Sequence, residues 1–274
     1  MRREPSANTV SFFQPFIKSK ATRTATFYSF TNTMPSSPRN YPTVDYDTHA
    51  RTCAPDAFWA QVKRTVHGKP VPDSQIELIV AEIKRQLALS TQDNLLDLAC
   101  GNGALSHLLI DSCATLAGID ISAYLIDVAK KHFAQAPRVT FIENDVTMYL
   151  STEPAPLRFT KVLCYGSFMY FPDDVAHATL RLIGERFSNV QSIFIGNLPD
   201  RDRVSAFYTQ RDPMPNELDD PQAQIGIWRT KETFSAMAAT AGWRTSFSNM
   251  ADEFYSTHYR YDALLHRRDI TVTR

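Results

Sequence analysis

The chain has 274 residues, 43% of them apolar, with 29 basic and 29 acidic side chains and a formal charge of zero. This composition suits a globular protein built around one large domain, and no run of about eighteen apolar residues offers a membrane span. Balanced charge supplies no general pull toward nucleic acid, which counts against a nucleic-acid partner.

Residues 1–45 are rich in Ser, Thr, Pro and Asn, with Arg2, Arg3, Lys18, Lys20, Arg23 and Arg39 set against Glu4 and Asp45. They are expected to form a disordered extension ahead of a folded domain over 46–274, and a basic, hydroxyl-rich organelle presequence is the other reading. No apolar stretch of the secretory kind follows the first arginines. The four cysteines, Cys53, Cys100, Cys113 and Cys164, form no C-x-x-C pair and read as reduced thiols of a cytoplasmic protein.

An N-terminal helical cap is expected over 46–92. Ala54 to Val66 reads as a helix carrying Phe58, Trp59 and Val62, and His67-Gly68-Lys69-Pro70 as a turn. Asp73 to Leu89 places Ile76, Ile79, Val80, Ile83 and Leu87 on one helical stripe, with Ser74 and Glu77 spaced as a capping box.

After Asp93, short apolar runs at Leu95–Ala99, Thr115–Ile119, Val139–Ile142, Val162–Tyr165 and Ser192–Ile195 alternate with helical stretches. Those helices carry Leu105, Leu108 and Leu109; Leu125, Val128 and Ala129 after Ser122; and Asp174 to about Phe187. The pattern predicts βαβ units. Residues 197–228 form a long insertion, partly helical over Asp202 to Gln210, of a length that is usually functional and able to cover a site at the strand ends. Thr230 to Ala241 is a helix closed by Gly242, and Trp243–Met250 with Tyr255–His266 read as an antiparallel pair. The fold class is therefore α/β: a seven-stranded Rossmann-like sheet, mostly parallel with a C-terminal antiparallel hairpin edge, and helices on both faces.

The chemistry concentrates at strand ends. The first strand runs into Asp97-Leu98-Ala99-Cys100-Gly101-Asn102-Gly103, two of only nine glycines, at a strand-to-helix turn where glycine lets the backbone bend and approach a ligand. Ser106 stands where a dinucleotide fingerprint has its third Gly or Ala. Asp97 would repel a pyrophosphate and suits a cationic or donor-rich ligand; its alternative role is to tie down the turn. Asp120, at the end of the second strand, is placed to accept both hydroxyls of an adenosine ribose. After the third strand come Asn144, Asp145 and Val146, by themselves a polar turn.

Together, D-L-A-C-G-N-G at 97–103, G-I-D-I-S at 118–122 and N-D-V at 144–146 resemble the class I S-adenosylmethionine-dependent methyltransferases, with a looser likeness to bacterial small-molecule members through Ala241-Gly242-Trp243. The resemblance implies S-adenosyl-L-methionine as cofactor. It puts Asp97 and the backbone of Ala99, Cys100, Gly101 and Gly103 on the methionine end, Asp120 on the ribose and Ile121 on the adenine. It also puts Asp145 on the adenine amino group with Asn144 and Val146 beside it, and Cys164 and Tyr165 near the sulfonium. Arg64 or Tyr46 is placed to hold the cofactor carboxylate.

For an acceptor hydroxyl a base is wanted, and His258 is the candidate: on a strand it would share a face with Arg260 and Asp262. Tyr165, at the mouth of the fourth strand, is the second catalytic candidate. Asp173-Asp174 reads as helix capping rather than metal ligation, and no Cys/His spacing suggests zinc. The expected activity is methyl transfer to an oxygen or nitrogen of a small-molecule acceptor of sugar or secondary-metabolite type. A nucleotide-dependent oxidoreductase and a non-catalytic cofactor-binding subunit are the rival readings.

Overall fold

A computed structural model describes residues 43–66 and 68–268. Seven strands form one sheet: β1 (Asn94–Leu98), β2 (Thr115–Asp120), β3 (Val139–Glu143), β4 (Lys161–Tyr165), β5 (Ser192–Pro199), β6 (Trp243–Ser248) and β7 (Arg260–Arg267). Their spatial order is β3-β2-β1-β4-β5-β7-β6. The first five are mutually parallel, while β7 runs antiparallel to both β5 and β6, so the expected antiparallel closing pair is present with β6 at the edge.

The central strands are apolar on both faces because helices cover both. On one face lie α6 (Val146–Thr152), α7 (Asp173–Arg186) and α9 (Lys231–Thr240), which bury Tyr149, Leu180 and Phe234 against Leu96, Val162 and Ile195. On the other lie α3 (Asp73–Leu87), the single turn α4 (Ala104–His107) and α5 (Ala123–Phe133), where Ile79, Leu105 and Ile126 meet Leu95, Leu163 and Phe194. The strand order reverses between β1 and β4, which opens a crevice at the carboxyl ends of the strands.

Several local expectations are corrected. A helix α1 (Thr43–Thr52) precedes the helix expected over Ala54 to Val66, which is replaced by a loop through Pro55, the single turn α2 (Phe58–Gln61) and a ribbon pairing Thr65–Val66 with Lys69–Pro70. Thus α1 begins inside the stretch assigned to a disordered extension; residues 1–42 of that stretch lie outside the described residues. The capping box at Ser74 and Glu77 does not form, because Pro72 occupies the cap position of α3 and no side chain caps it. At α7 Pro172 again holds the cap; Asp173 and Asp174 sit in the first turn, suited to the helix dipole, and Asp173 pairs with Arg229 at 2.7 Å. Ser122 does cap α5, accepting from the Leu125 N–H at 3.2 Å, and Thr230 caps α9. The insertion contains a 3-10 turn at Arg201–Arg203 and the short α8 (Val204–Phe207).

Strand β7 starts at Arg260, not Tyr255. Residues 251–259 are turns anchored by buried Phe254 and Tyr259, so aromatic β-propensity there reflects packing rather than pairing.

Candidate active site

A cleft of about 1050 Å³, its open mouth included, lies at the strand ends where the order reverses. Its walls include Asp97, Ala99, Cys100, Gly101, Asp120, Ile121, Asp145, Val146 and Tyr165, residues singled out in the sequence from four separate strands. Gly103, Asn144 and Cys164 do not line it. Gly103 is held at φ +75° as the cap of α4, and a Cβ there would lie 2.8 Å from the Phe141 ring, so this glycine serves packing. The Asn144 N–H donates to the Asp120 carbonyl at 2.9 Å. Cys164 faces away, into the apolar layer under α6 and α7, as strand alternation requires.

Gly101 is demanded from within as well. Its φ is +59°, and a Cβ would sit 2.9 Å from Val62 Cγ1, so the N-terminal cap uses the space the missing side chain leaves. Asn102 fastens the same loop to α2, donating to the Phe58 carbonyl at 2.8 Å and to Gln61 Oε1 at 2.9 Å. The glycine turn is thereby sandwiched between β1 and a cap that lies far away in sequence.

Two buried carboxylates define the inner wall. Asp97 accepts from Ser106 Oγ at 2.6 Å, which explains the serine at the third fingerprint position. Burial pushes the Asp97 carboxyl up to about 7; the Ser106 bond opposes this, nearby Asp120 adds to it, and Arg64 opposes it. Asp120 accepts from the backbone N–H groups of Gly101 at 2.7 Å and Ser122 at 2.9 Å. Burial raises its pKa too, with those backbone bonds opposing and Asp47 contributing in the same direction as burial. Ile121, next in the chain, is 40% exposed and presents an apolar surface at the rim.

Asp145 caps α6, a helix that the polar turn concealed. Its Oδ1 accepts from the Met148 N–H at 3.0 Å and from Thr147 Oγ1 at 2.6 Å.

Across from the carboxylates stands Arg64. Its guanidinium lies 5.3 Å from the Tyr165 ring centre and 5.6 Å from that of Trp59, and its Nη1 is buried without a partner. Such an orphaned donor costs about 1–3 kcal/mol. Over the mouth, Tyr46 of α1 donates to Tyr170 Oη at 3.3 Å, and Tyr170 donates to the Gln224 carbonyl at 3.0 Å. Cap and insertion therefore meet above the cleft. Tyr170 and Ser167, which lines the wall below, carried no signal in the sequence beyond their place after β4.

His258 is not brought to this site. It sits exposed in the turn before β7 with its ring against Tyr259, outside the cleft wall, so the shared strand face with Arg260 and Asp262 does not exist for it. Tyr165 does line the cleft, with its hydroxyl buried and unpartnered; burial, with Asp262 adding, drives its pKa well above the usual phenol range. Among the described residues no group of three or more His, Cys, Asp or Glu side chains is arranged to hold a metal ion, and no helix is long and apolar enough to cross a membrane.

The residues of the cleft suit an adenosylated amino acid with a sulfonium. Asp97 and Asp120 provide anionic character for an ammonium and for ribose hydroxyls, Ile121 an apolar platform, and the orphaned Arg64 Nη1 a donor for a carboxylate. The group fits the residues present.

Residues 95–186, about a third of the chain, match the family model described as a methyltransferase domain. Among curated proteins, the chain is 31% identical over 77 residues to an uncharacterised methyltransferase of Schizosaccharomyces pombe, covering 28% of each chain. It is 30% identical over 91 residues to a ubiquinone biosynthesis O-methyltransferase of Paracidovorax citrulli, covering 32% of this chain and 38% of the relative. The chain thus spans about a third of the length of these relatives. In three dimensions it superposes on a cyclopropane synthase of Mycobacterium tuberculosis with a TM-score of 0.60 at 13% identity, over 84% of this chain and all of the other. It superposes on the magnesium protoporphyrin IX methyltransferase of Synechocystis, solved with bound S-adenosylmethionine, with a TM-score of 0.51 at 15% identity, over 82% and 91% of the two chains.

Proposed function

We propose that this chain, which matches a methyltransferase-domain family model over residues 95–186, is a class I S-adenosylmethionine-dependent methyltransferase that moves a methyl group from that cofactor to an oxygen or nitrogen of a small-molecule acceptor. The observation that carries this reading is the pairing of an orphaned guanidinium, Arg64, with the buried carboxylates Asp97 and Asp120 across one cleft. A zwitterionic amino-acid end needs both signs of charge within one cleft. A dinucleotide would also use Asp120 for its ribose, but it has no ammonium for Asp97, and its pyrophosphate would be repelled there.

In this reading Arg64 holds the cofactor carboxylate and Asp97 its ammonium. Asp120 accepts from the ribose, and Ile121 covers the adenine. The cofactor supplies an electrophilic methyl on a sulfonium. The protein's part is alignment and exclusion of water: Trp59, Tyr46 and Tyr170 close the mouth, and Tyr165 walls the end where an acceptor approaches. The insertion over 197–228 meets the mouth through Gln224 and forms the outer rim for the acceptor. A cytoplasmic setting and reduced cysteines accord with this chemistry.

Calorimetric titration with S-adenosylhomocysteine, and in parallel with NAD and NADP, tests the reading. Saturable binding of the homocysteine adduct that collapses in Asp120→Ala is the expected result. Binding of a nicotinamide nucleotide alone would establish the oxidoreductase alternative.

A further inference from the structure

Five aromatic rings stand on the cleft wall: Tyr46, Trp59, Tyr165, Tyr170 and Phe171. They come from α1, from α2, from the tip of β4 and from the 3-10 turn Phe168–Tyr170 with the residue that leaves it. None lies on β2 or β3, whose tips carry the residues assigned above to ribose and adenine. Tyr165 and Phe171 are buried, but Tyr46, Trp59 and Tyr170 are only half-buried, so part of their ring surface is left to whatever enters. The rings are held in place. Tyr46 and Tyr170 meet edge to face, with centres 5.8 Å apart and planes at 69°, and their hydroxyls are bonded to each other and on to the Gln224 carbonyl. Phe171 is backed by Phe168 at 5.3 Å. A pair set this way presents a ring face beside a ring edge, the two contacts that a planar aromatic guest prefers.

Charge separates the two ends of the cleft. Among the described residues on its wall the carboxylates are Asp97, Asp120 and Asp145, all assigned above to the cofactor. At the aromatic end the rings already carry cations. Lys63 Nζ lies 4.9 Å from the Tyr46 ring centre, and the Arg64 guanidinium lies over both Trp59 and Tyr165. A positively charged acceptor would meet these two cations with no wall carboxylate left to offset them. A sugar fares no better. The hydroxyls of Tyr46 and Tyr170 are engaged with each other and with Gln224, and Ser167 Oγ donates to the Ala99 carbonyl at 3.3 Å, which leaves few polar groups for many sugar hydroxyls.

We infer that the acceptor is a planar aromatic molecule without positive charge, gripped by the rings of Tyr46 and Tyr170, and neither a sugar nor an ammonium compound. This rests on the methyl-transfer reading above and names its acceptor class; a phenol and an aniline both meet the requirement. The acceptor ring buries its faces against carbon at the mouth, and a carboxylate or phenolate on it lies on the side of Lys63 and Arg64, where its charge is favoured.

The test reads affinity in the complex with S-adenosylhomocysteine, by calorimetric titration of matched probes. Catechol is set against 1,2-cyclohexanediol for planarity, 4-hydroxyphenylacetate against tyramine for charge, and glucose stands for the sugars. Tyr170→Leu removes the ring, whereas Tyr170→Phe keeps the ring and removes the hydroxyl. The expected result is that catechol binds about 10-fold more tightly than its saturated twin, the worth of one or two ring contacts, and 4-hydroxyphenylacetate more tightly than tyramine. Most of the catechol preference should vanish in Tyr170→Leu and persist in Tyr170→Phe, while S-adenosylhomocysteine affinity falls by a smaller factor than the preference does. Equal affinity within the pairs, tighter binding of tyramine or glucose, binding of no aromatic probe, or a parental preference in Tyr170→Leu would each overturn the inference. Methyl transfer to glucose or 1,2-cyclohexanediol would overturn it as well. Failure of the parent to bind S-adenosylhomocysteine is a different result: it removes the cofactor assignment, and the inference falls with it.

Discussion

Arg64 and Tyr165 face one another across the end of the cleft, the guanidinium 5.3 Å from the ring centre, and each has a buried polar atom with no partner. One comes from the loop after α2 and the other from the tip of β4, so the cap and the sheet must dock correctly for the pair to exist. The ring gives the cation a face to rest on without neutralising it, which keeps its donors free for a ligand.

Arg64→Met should remove the carboxylate contact while retaining much of the apolar stem. Affinity for S-adenosylhomocysteine should fall about 10- to 100-fold, the range of a hydrogen bond between charged partners. Binding of 5′-methylthioadenosine, which lacks the amino-acid end, should change little. Equal losses for the two ligands in parallel calorimetric titrations would mean that Arg64 only props up the cap.

The buried Asp97 carboxyl, raised to about 7 chiefly by burial, makes the stability of the fold pH-sensitive. In the unfolded chain it titrates near 3.9. Between those values the folded state holds a proton that the unfolded state has lost, so stability falls as pH rises through the window and levels off above 7. The full span corresponds to a loss on the order of 4 kcal/mol. Asp97→Asn should therefore stabilise the ligand-free protein at pH 8 by about 1–3 kcal/mol, with the advantage shrinking toward pH 5, while abolishing S-adenosylhomocysteine binding. Urea midpoints at the two pH values check it; a variant less stable at pH 8 would show that the carboxylate is satisfied in the fold.

How much of this was legible in the sequence depends on what each residue answers to. The strands β1 to β5 were readable because a doubly covered parallel sheet writes itself as continuous apolar runs. Asp97 and Asp120 were readable because carboxylates interrupt or end such runs. Helix α6 was hidden: it is 7 residues long, and its cap, Asp145, looked like a ligand contact. His258 was misplaced because Phe254, Tyr255 and Tyr259 carry strand propensity yet pack as turn anchors. The β5 bulge at Asn197 had no local signature, since its left-handed φ of +66° is held by three residues at least 59 positions away.

Gly101 was read as a ligand-approach glycine, and the structure adds an internal reason. A methyl there would both strain a φ of +59° and press on Val62 Cγ1 at 2.9 Å. Gly101→Ala should cost about 1–3 kcal/mol of stability and weaken S-adenosylhomocysteine binding at least 10-fold, because the displaced cap carries Arg64. Adding Val62→Ala should relieve the clash but not the backbone strain, so the double variant should recover part of the melting temperature. Full recovery would assign the whole effect to packing.

Gly196 tests the link between β5 and the catalytic end. It pairs with Tyr165, and a Cβ added to it would lie 2.3 Å from Tyr165 Cδ2, closer than real Cβ atoms approach. The ring is 5% exposed and hemmed in by Arg64, so it cannot swing freely. Gly196→Ala should therefore displace the Tyr165 ring, costing about 1–3 kcal/mol as overpacking. In a Tyr165→Ala background the same glycine substitution should cost far less, giving a coupling of about 1 kcal/mol or more in a double-mutant cycle. S-adenosylhomocysteine binding should survive Gly196→Ala better than methyl transfer does, because the adenosine contacts proposed above lie on β1 and β2 while Tyr165 is proposed to wall the acceptor end. A cycle with no coupling would show that β5 yields to the methyl group, and the bulge at Asn197 would then be where the strand gives way.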